Sequence, residues 1–233
     1  MPMSAVQVGD GAPQQSRATP PLQGLAAVAG PRTRLLLLGS FPGVASLVAQ
    51  QYYGHPRNQF WPLLSAIWQT DLTGLPYADR LRALQERGLG LWDVYASCRR
   101  QGSLDSAIRD AVPNDLPALA ARLPQLQAIA HNGGESARAM RVTAALGLPV
   151  HRLPSSSPAN ASWSFERKLQ AWQAVFDAAG LVAVKLPKHL RHRARGRGAI
   201  AAVFFERHDA APAARHANRA NPHLGSPGRF RYC

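Results

Sequence analysis

Cysteine is nearly absent: Cys98 and Cys233 are the only two in 233 residues. That excludes a disulfide framework and any cluster held by four cysteines. Long apolar runs are also lacking, since the leucine run from Leu35 to Leu38 falls far short of a bilayer span. Residues 1 to 20 show no basic stretch leading into an apolar one, so no membrane or export signal is read there and a cytoplasmic location beside nucleoid DNA is expected. Carboxylates are scarce too, with 13 Asp and Glu against 27 Lys and Arg, a formal net charge of +14. A polyanionic partner is the natural inference.

The charge is unevenly spread. Residues 185–233 hold 11 basic and 2 acidic residues, or +9, and the other 184 hold 16 and 11, or +5. This tail places Arg191, Arg193, Arg195 and Arg197 among small residues without periodicity and reads as a disordered basic tail. A solvated arm and a nucleic-acid grip are equally weighted for it. Its histidines, His189, His192, His208, His216 and His223, show no metal-ligand spacing, and no metal or cofactor is expected. The first 30 residues, with Pro13, Pro20 and Pro21, look like a second flexible arm, and the folded domain is placed at residues 21–184.

Between the arms the punctuation is regular. Arg34 to Leu38 is a short apolar run stopped by Gly39, as a buried strand would be, and Leu89 to Val94, Leu126 to Ala130 and Leu148 to Leu153 repeat it. Helical patterns alternate with these runs. They comprise Phe60, Trp61, Leu64, Ile67 and Trp68; Leu81 and Leu84 before Gly88; Leu116 to Leu123 behind Asp115 as N-cap; and Glu135 to Leu146 closed by Gly147. The clearest has Phe165, Leu169, Trp172 and Phe176 at i, i+4, i+7 and i+11 before Gly180. The alternation predicts an α/β sandwich around a mostly parallel four-stranded sheet.

In such sheets ligands bind beyond the carboxyl ends of the strands. The four segments that follow the strands are Gly39-Ser40-Phe41-Pro42-Gly43, Asp93 leading to Ser97, His131-Asn132-Gly133-Gly134, and Pro154-Ser155-Ser156-Ser157-Pro158-Ala159-Asn160. Glycine and proline in the first allow a sharp turn close to a ligand, and the serines of the last offer hydroxyls and amides to phosphates. Any one of these alone would be only a turn. Four on one edge suggest a site.

GSFPGVASLVAQQYYGHPRNQFWPLL (39–64) resembles the first motif of the uracil-DNA glycosylase superfamily, in particular its hypoxanthine-DNA glycosylase branch, family 6. LWDVYASCRRQGSLDSAI (91–108), HNGG (131–134) and LPSSSPANASWSFERKL (153–169) resemble that branch's later blocks in the same order. The resemblance implies a three-layer α/β/α sandwich and a monofunctional DNA glycosylase of base-excision repair. Its substrates would be deaminated bases, hypoxanthine first, with uracil or xanthine as further ones, in double- or single-stranded DNA. A monomer without cofactor or metal is expected. The alternative is a catalytically inert nucleic-acid-binding module with the same fold.

Breaking an N-glycosidic bond passes through an oxocarbenium-like sugar, so the enzyme must flip the base, stabilise its growing charge and hold a water. The branch implies Asn58 as principal catalytic residue, although Asn58 also stands where the Phe60 helix needs an N-cap. Relatives usually carry Asp or Asn inside the first loop where this chain has Phe41, so a polar group must come from elsewhere, and Asn132 is the second candidate. Phe41, Tyr53 and Phe60 are expected to face the base, with Tyr52 beside them and core packing as the other reading. His55 either contacts phosphate or leaving group or shapes a turn. Ser155, Ser156, Ser157 and Asn160 resemble the phosphate-gripping loop, and Ala159 and Asn160 stand where relatives carry a bulky wedge. Asp105 reads as a turn or cap residue and Asp93 stays open. Lys168 lies in the last helix and the other two lysines lie in the tail, so no Schiff-base amine is read.

Overall fold

The computed structural model describes residues 20–182. The basic tail, its histidines and nearly all of the N-terminal arm lie outside the described residues. In chain order the elements are β1 (Leu22–Gln23), β2 (Leu35–Gly39), α1 (Val44–Ala49), α2 (Phe60–Trp68), α3 (Tyr77–Glu86), β3 (Leu89–Asp93) and β4 (Tyr95–Arg99). After a 3-10 turn (Asp105–Ala107) come β5 (Arg109–Pro113), α4 (Leu116–Ala120), β6 (Ala128–Asn132), a second 3-10 turn (Ser136–Ala139) running into α5 (Met140–Ala144), β7 (Val150–Leu153) and α6 (Phe165–Ala178).

The four predicted strands form one sheet in the order β3-β2-β6-β7, and every neighbouring pair is parallel. The central leucine run shows why. Side chains alternate across a strand, so Leu35 and Leu37 enter one core with Phe60, Leu64, Trp172 and Phe176, while Leu36 and Leu38 enter the other with Leu116, Leu119 and Ile129. Two helix layers therefore cover the two faces. The stripe foreseen on α6 buries Trp172 and Phe176, and the Trp172 indole donates to Pro154 O at 3.0 Å, tying that helix to the end of β7. Asp115 caps α4 through Ala118 N at 2.9 Å. No helix among the described residues is long and apolar enough to cross a membrane.

Three features depart from the sequence reading. Residues 21–30, given to the arm by their composition though inside the domain bounds of 21–184, join the fold, because Leu22 and Gln23 pair with Cys98 and Ser97, and Val28 bridges to Leu91. Tyr95 to Arg99, read as loop, is the middle strand of a second, antiparallel sheet, β1-β4-β5. The single helix expected over Glu135 to Leu146 begins as the 3-10 turn Ser136–Ala139 and continues as the short α5, and Ser136 and Thr143 are buried within it. Ser136 Oγ donates to Leu38 O at 2.7 Å, and the His131 ring lies 2.9 Å from both hydroxyls. As the Ser136 proton goes to Leu38, His131 Nδ1–H must donate to Ser136 and Nε2 must accept from Thr143. The histidine of HNGG is thus a neutral core strut, its pKa pushed down to about 4 by burial.

Because β2, β3, β6 and β7 run parallel and in register, their carboxyl ends share one edge: Gly39 lies opposite Asp93, and Asn132 opposite Leu153.

Candidate active site

A cleft of about 990 Å³ opens at that edge, walled by residues 39–43, 103–105, 132–134 and 152–160 together with the connection from α1 to α2. Its size suits a nucleobase with its sugar.

The first loop is held from behind. A Cβ on Gly39 would run into Asp93 Oδ1, so only glycine lets β2 pass this close to the acid. Ser40 Oγ donates to Asp105 Oδ1 at 2.7 Å. Phe41 is largely buried yet lines the cleft; the Arg100 guanidinium sits 5.1 Å from its ring centre and also donates to Pro42 O.

On the facing wall, Tyr53 adopts a φ of 55°, unusual for a bulky residue, and is kept there by stacking on Phe60 at 3.8 Å. Phe60 itself is 0% exposed and does not line the cleft, which corrects its assignment as a base contact. It is the platform beneath Tyr53, because the first turn of α2 points it into the core. His55 lines the cleft with its Nδ1 accepting from Arg57 N at 3.1 Å, which shapes the turn. Asn58 lines it as well. Its Oδ1 accepts from Phe60 N at 2.9 Å, so it does help cap α2, and that bond assigns the amide. Asn58 Nδ2 makes no hydrogen bond among the described residues.

Asn132, the expected second catalytic amide, is used as a brace. Its Nδ2 donates to Tyr53 Oη at 3.2 Å and Ser156 Oγ at 2.9 Å, while Oδ1 accepts from Ser156 N at 2.9 Å. Ser156 is consequently buried, and its carbonyl accepts from Gln59 N at 2.9 Å. Of the three serines expected on phosphate, the middle one is therefore turned inward. Ser155 and Ser157 line the cleft, their oxygens accepting from Ser157 N and Ala159 N at 3.2 Å, which leaves both hydroxyls able to donate. Asn160 Nδ2 donates to Ser155 O at 3.1 Å. Gly133, at a φ of 103°, lets the third loop approach the fourth; a Cβ there would stand 2.9 Å from Ser155 Cβ.

Several residues escaped the sequence reading. Lys168 is 2% exposed and its ammonium donates to Gln59 Oε1 at 2.8 Å and Asn160 O at 3.0 Å, locking the start of α2 to the serine loop. Among the described residues it forms no ion pair, and burial lowers its pKa. It does not line the cleft. Trp163 stands exposed on the rim with the Arg167 guanidinium 4.6 Å from its ring. Arg57 and Arg152 are exposed there too. An aromatic beside a basic residue was the available signal for Trp163. For Lys168 there was none. Asp93 and Asp105 both reach the cleft, and burial raises the pKa of each, that of Asp93 to about 7. Among the described residues no group of three or more His, Cys, Asp or Glu could hold a metal ion.

A cleft at the carboxyl edge of a parallel sheet, lined by an amide and a serine loop, offers the donors that a base-excising enzyme needs. Residues 27–176 match the family model of the uracil DNA glycosylase superfamily, and the chain belongs to that superfamily, which makes it a hydrolase of the DNA glycosylase class. It is 38% identical over 154 residues to proteins named hypoxanthine DNA glycosylase from Methanosarcina barkeri and Methanosarcina acetivorans, covering 66% of this chain and 97% of each relative. A solution NMR structure from Methanosarcina acetivorans, described as a candidate uracil DNA glycosylase, superposes with a TM-score of 0.62 at 37% identity, over 68% of this chain and 98% of that one.

Proposed function

We propose that this protein is a monofunctional glycosylase that removes deaminated bases from DNA in base-excision repair, hypoxanthine from deoxyinosine first, with uracil and xanthine as further substrates. The observation that carries this reading is the Asn58 amide, pinned through its oxygen and free at its nitrogen on the cleft wall. As the bond from C1′ to the base breaks, negative charge grows on the base, and a fixed N–H donor stabilises that charge more than it stabilises the ground state. Asn58 supplies the donor without taking a proton. Phe41 and Tyr53 offer faces to the flipped base, and His55 lies beside them. Ser155 and Ser157 present hydroxyls to phosphates, and Asn160 fixes the loop that carries them. Asn132 and Lys168 position these groups, and the protein works as a monomer on single- or double-stranded DNA.

The names of the Methanosarcina relatives support hypoxanthine as the first substrate. The test is single-turnover incubation with labelled duplexes carrying inosine, uracil or xanthine, followed by alkali. A break at inosine is expected. Binding without any alkali-labile product would instead make the protein an inert binding module.

A further inference from the structure

Asp93 ends β3 on the cleft floor, 5% exposed. Gly39 crosses directly over it, and the point where a Gly39 Cβ would stand lies 3.7 Å from the Tyr53 hydroxyl. The carboxyl is thus presented between the first loop and Tyr53. Among the described residues Asp93 forms no ion pair, and its Oδ2 has no hydrogen-bond partner.

The ionisable groups around it come from three segments. Arg100, after β4, directs one guanidinium nitrogen to Pro42 and leaves Nε and Nη1 unpaired. Asp105, on the 3-10 turn, adds a second carboxyl, with Glu135 beyond it. Tyr52 and Tyr53 close the third side. Burial and then Asp105 hold the Asp93 proton on, outweighing Arg100, so that the group titrates at about 7. An unpartnered buried carboxyl costs stability, and in a cleft wall such a cost marks function.

We propose that Asp93 is the acid that protonates the departing base, an assignment that rests on the glycosylase reading above. The neutral carboxyl gives its proton to N7 of the flipped purine. The C1′–N9 bond breaks with its electron pair passing to the base, which leaves as neutral hypoxanthine. Water adds to the C1′ cation and loses one proton, which returns to the Asp93 carboxylate. The sum is deoxyinosine plus water giving an abasic sugar plus hypoxanthine, with the acid regenerated. Such a site favours purines, because hypoxanthine and xanthine carry N7 and uracil has no basic ring nitrogen to take the proton.

Single-turnover excision from an inosine duplex, followed from about pH 5.5 to about 9, tests this. Wild-type protein should hold a plateau at low pH and lose about tenfold per unit above the Asp93 titration. Asp93→Asn should be about a hundredfold slower on the plateau and flat with pH. A duplex carrying 7-deaza-2′-deoxyinosine, which lacks N7, should slow the wild type about as much while leaving Asp93→Asn little changed. The wild-type half of that comparison, inosine against its 7-deaza analogue, needs no variant and so survives one that fails to fold. An Asp93→Asn variant with wild-type rate and slope overturns the proposal, as does a wild type that cuts the 7-deaza substrate as fast as inosine, and both outcomes leave the glycosylase reading standing. A wild type that leaves inosine intact at every pH removes the substrate reading, and the proposal with it.

Discussion

Asn58 does two separable things. Its oxygen accepts from Phe60 N at the start of α2, and the residue lines the cleft with its amide nitrogen unbonded among the described residues. Asn58→Ala removes both. Losing a cap costs about 1 kcal/mol, which lowers the melting temperature by about 2–4 °C at this chain length. Losing a donor to charge that develops in the transition state costs about 2.7–4 kcal/mol, or roughly a hundredfold to a thousandfold in rate. Asn58→Asp separates the two effects, since a carboxylate still accepts from Phe60 N and its charge gains about 0.3–1 kcal/mol near the helix N-terminus. It offers no hydrogen-bond donor at neutral pH. The expected outcome is an Asp variant at least as stable as wild type by thermal melting, yet at least about a hundredfold slower in single-turnover excision from an inosine duplex, with lesion binding retained. The assay must use enzyme in excess so that product release does not mask the step. Wild-type excision by Asn58→Asp per folded molecule would show that Asn58 serves only as a cap.

The serine loop makes a contrast: replacing Ser155 and Ser157 together with alanine should weaken DNA binding and flatten its salt dependence by roughly one unit of slope or less, whereas Ser156→Ala should cost about 1–3 kcal/mol of stability in denaturant titrations. Equal effects on affinity would put the Ser156 hydroxyl at a phosphate after all. Trp163→Ala should lower affinity for lesion-containing duplex by about tenfold in fluorescence anisotropy, the value of one base-stacking contact; an unchanged affinity would leave the ring as a partner of Arg167 alone. His131 is held neutral below its ordinary range, so its native state binds fewer protons than the unfolded chain. Its contribution is therefore present above about pH 6.5 and lost as pH falls toward about 4, up to about 3 kcal/mol. Denaturant titrations at both ends of that window should show His131→Asn losing less stability than wild type on acidification, and parallel losses would contradict the buried, neutral assignment.

The three inner strands of the main sheet, β2, β3 and β6, were legible because each is a short apolar run, largely buried on both faces and ended by a turn. The α6 stripe was legible for the same reason, since its period names the face it buries. The capping bond of Asn58 was legible in its position before Phe60, and the motif around it marked it as a candidate for the site. Other features depend on partners far away in the chain. Phe60 looked like a base-stacking ring beside Tyr53, and only the turn of α2 into the core makes it the support. Ser156 sits between two serines that face the cleft, and what singles it out is Asn132 reaching across from β6. Tyr95 to Arg99 is too polar to announce a strand and becomes one by pairing with β1 and β5. The state of Asp93 and the clamp made by Lys168 were decided wholly by tertiary structure. Local sequence sets which side chains are apolar and how they repeat. Whether a carboxyl keeps its proton, or an ammonium finds an acceptor, depends on the groups that folding brings within a few ångströms.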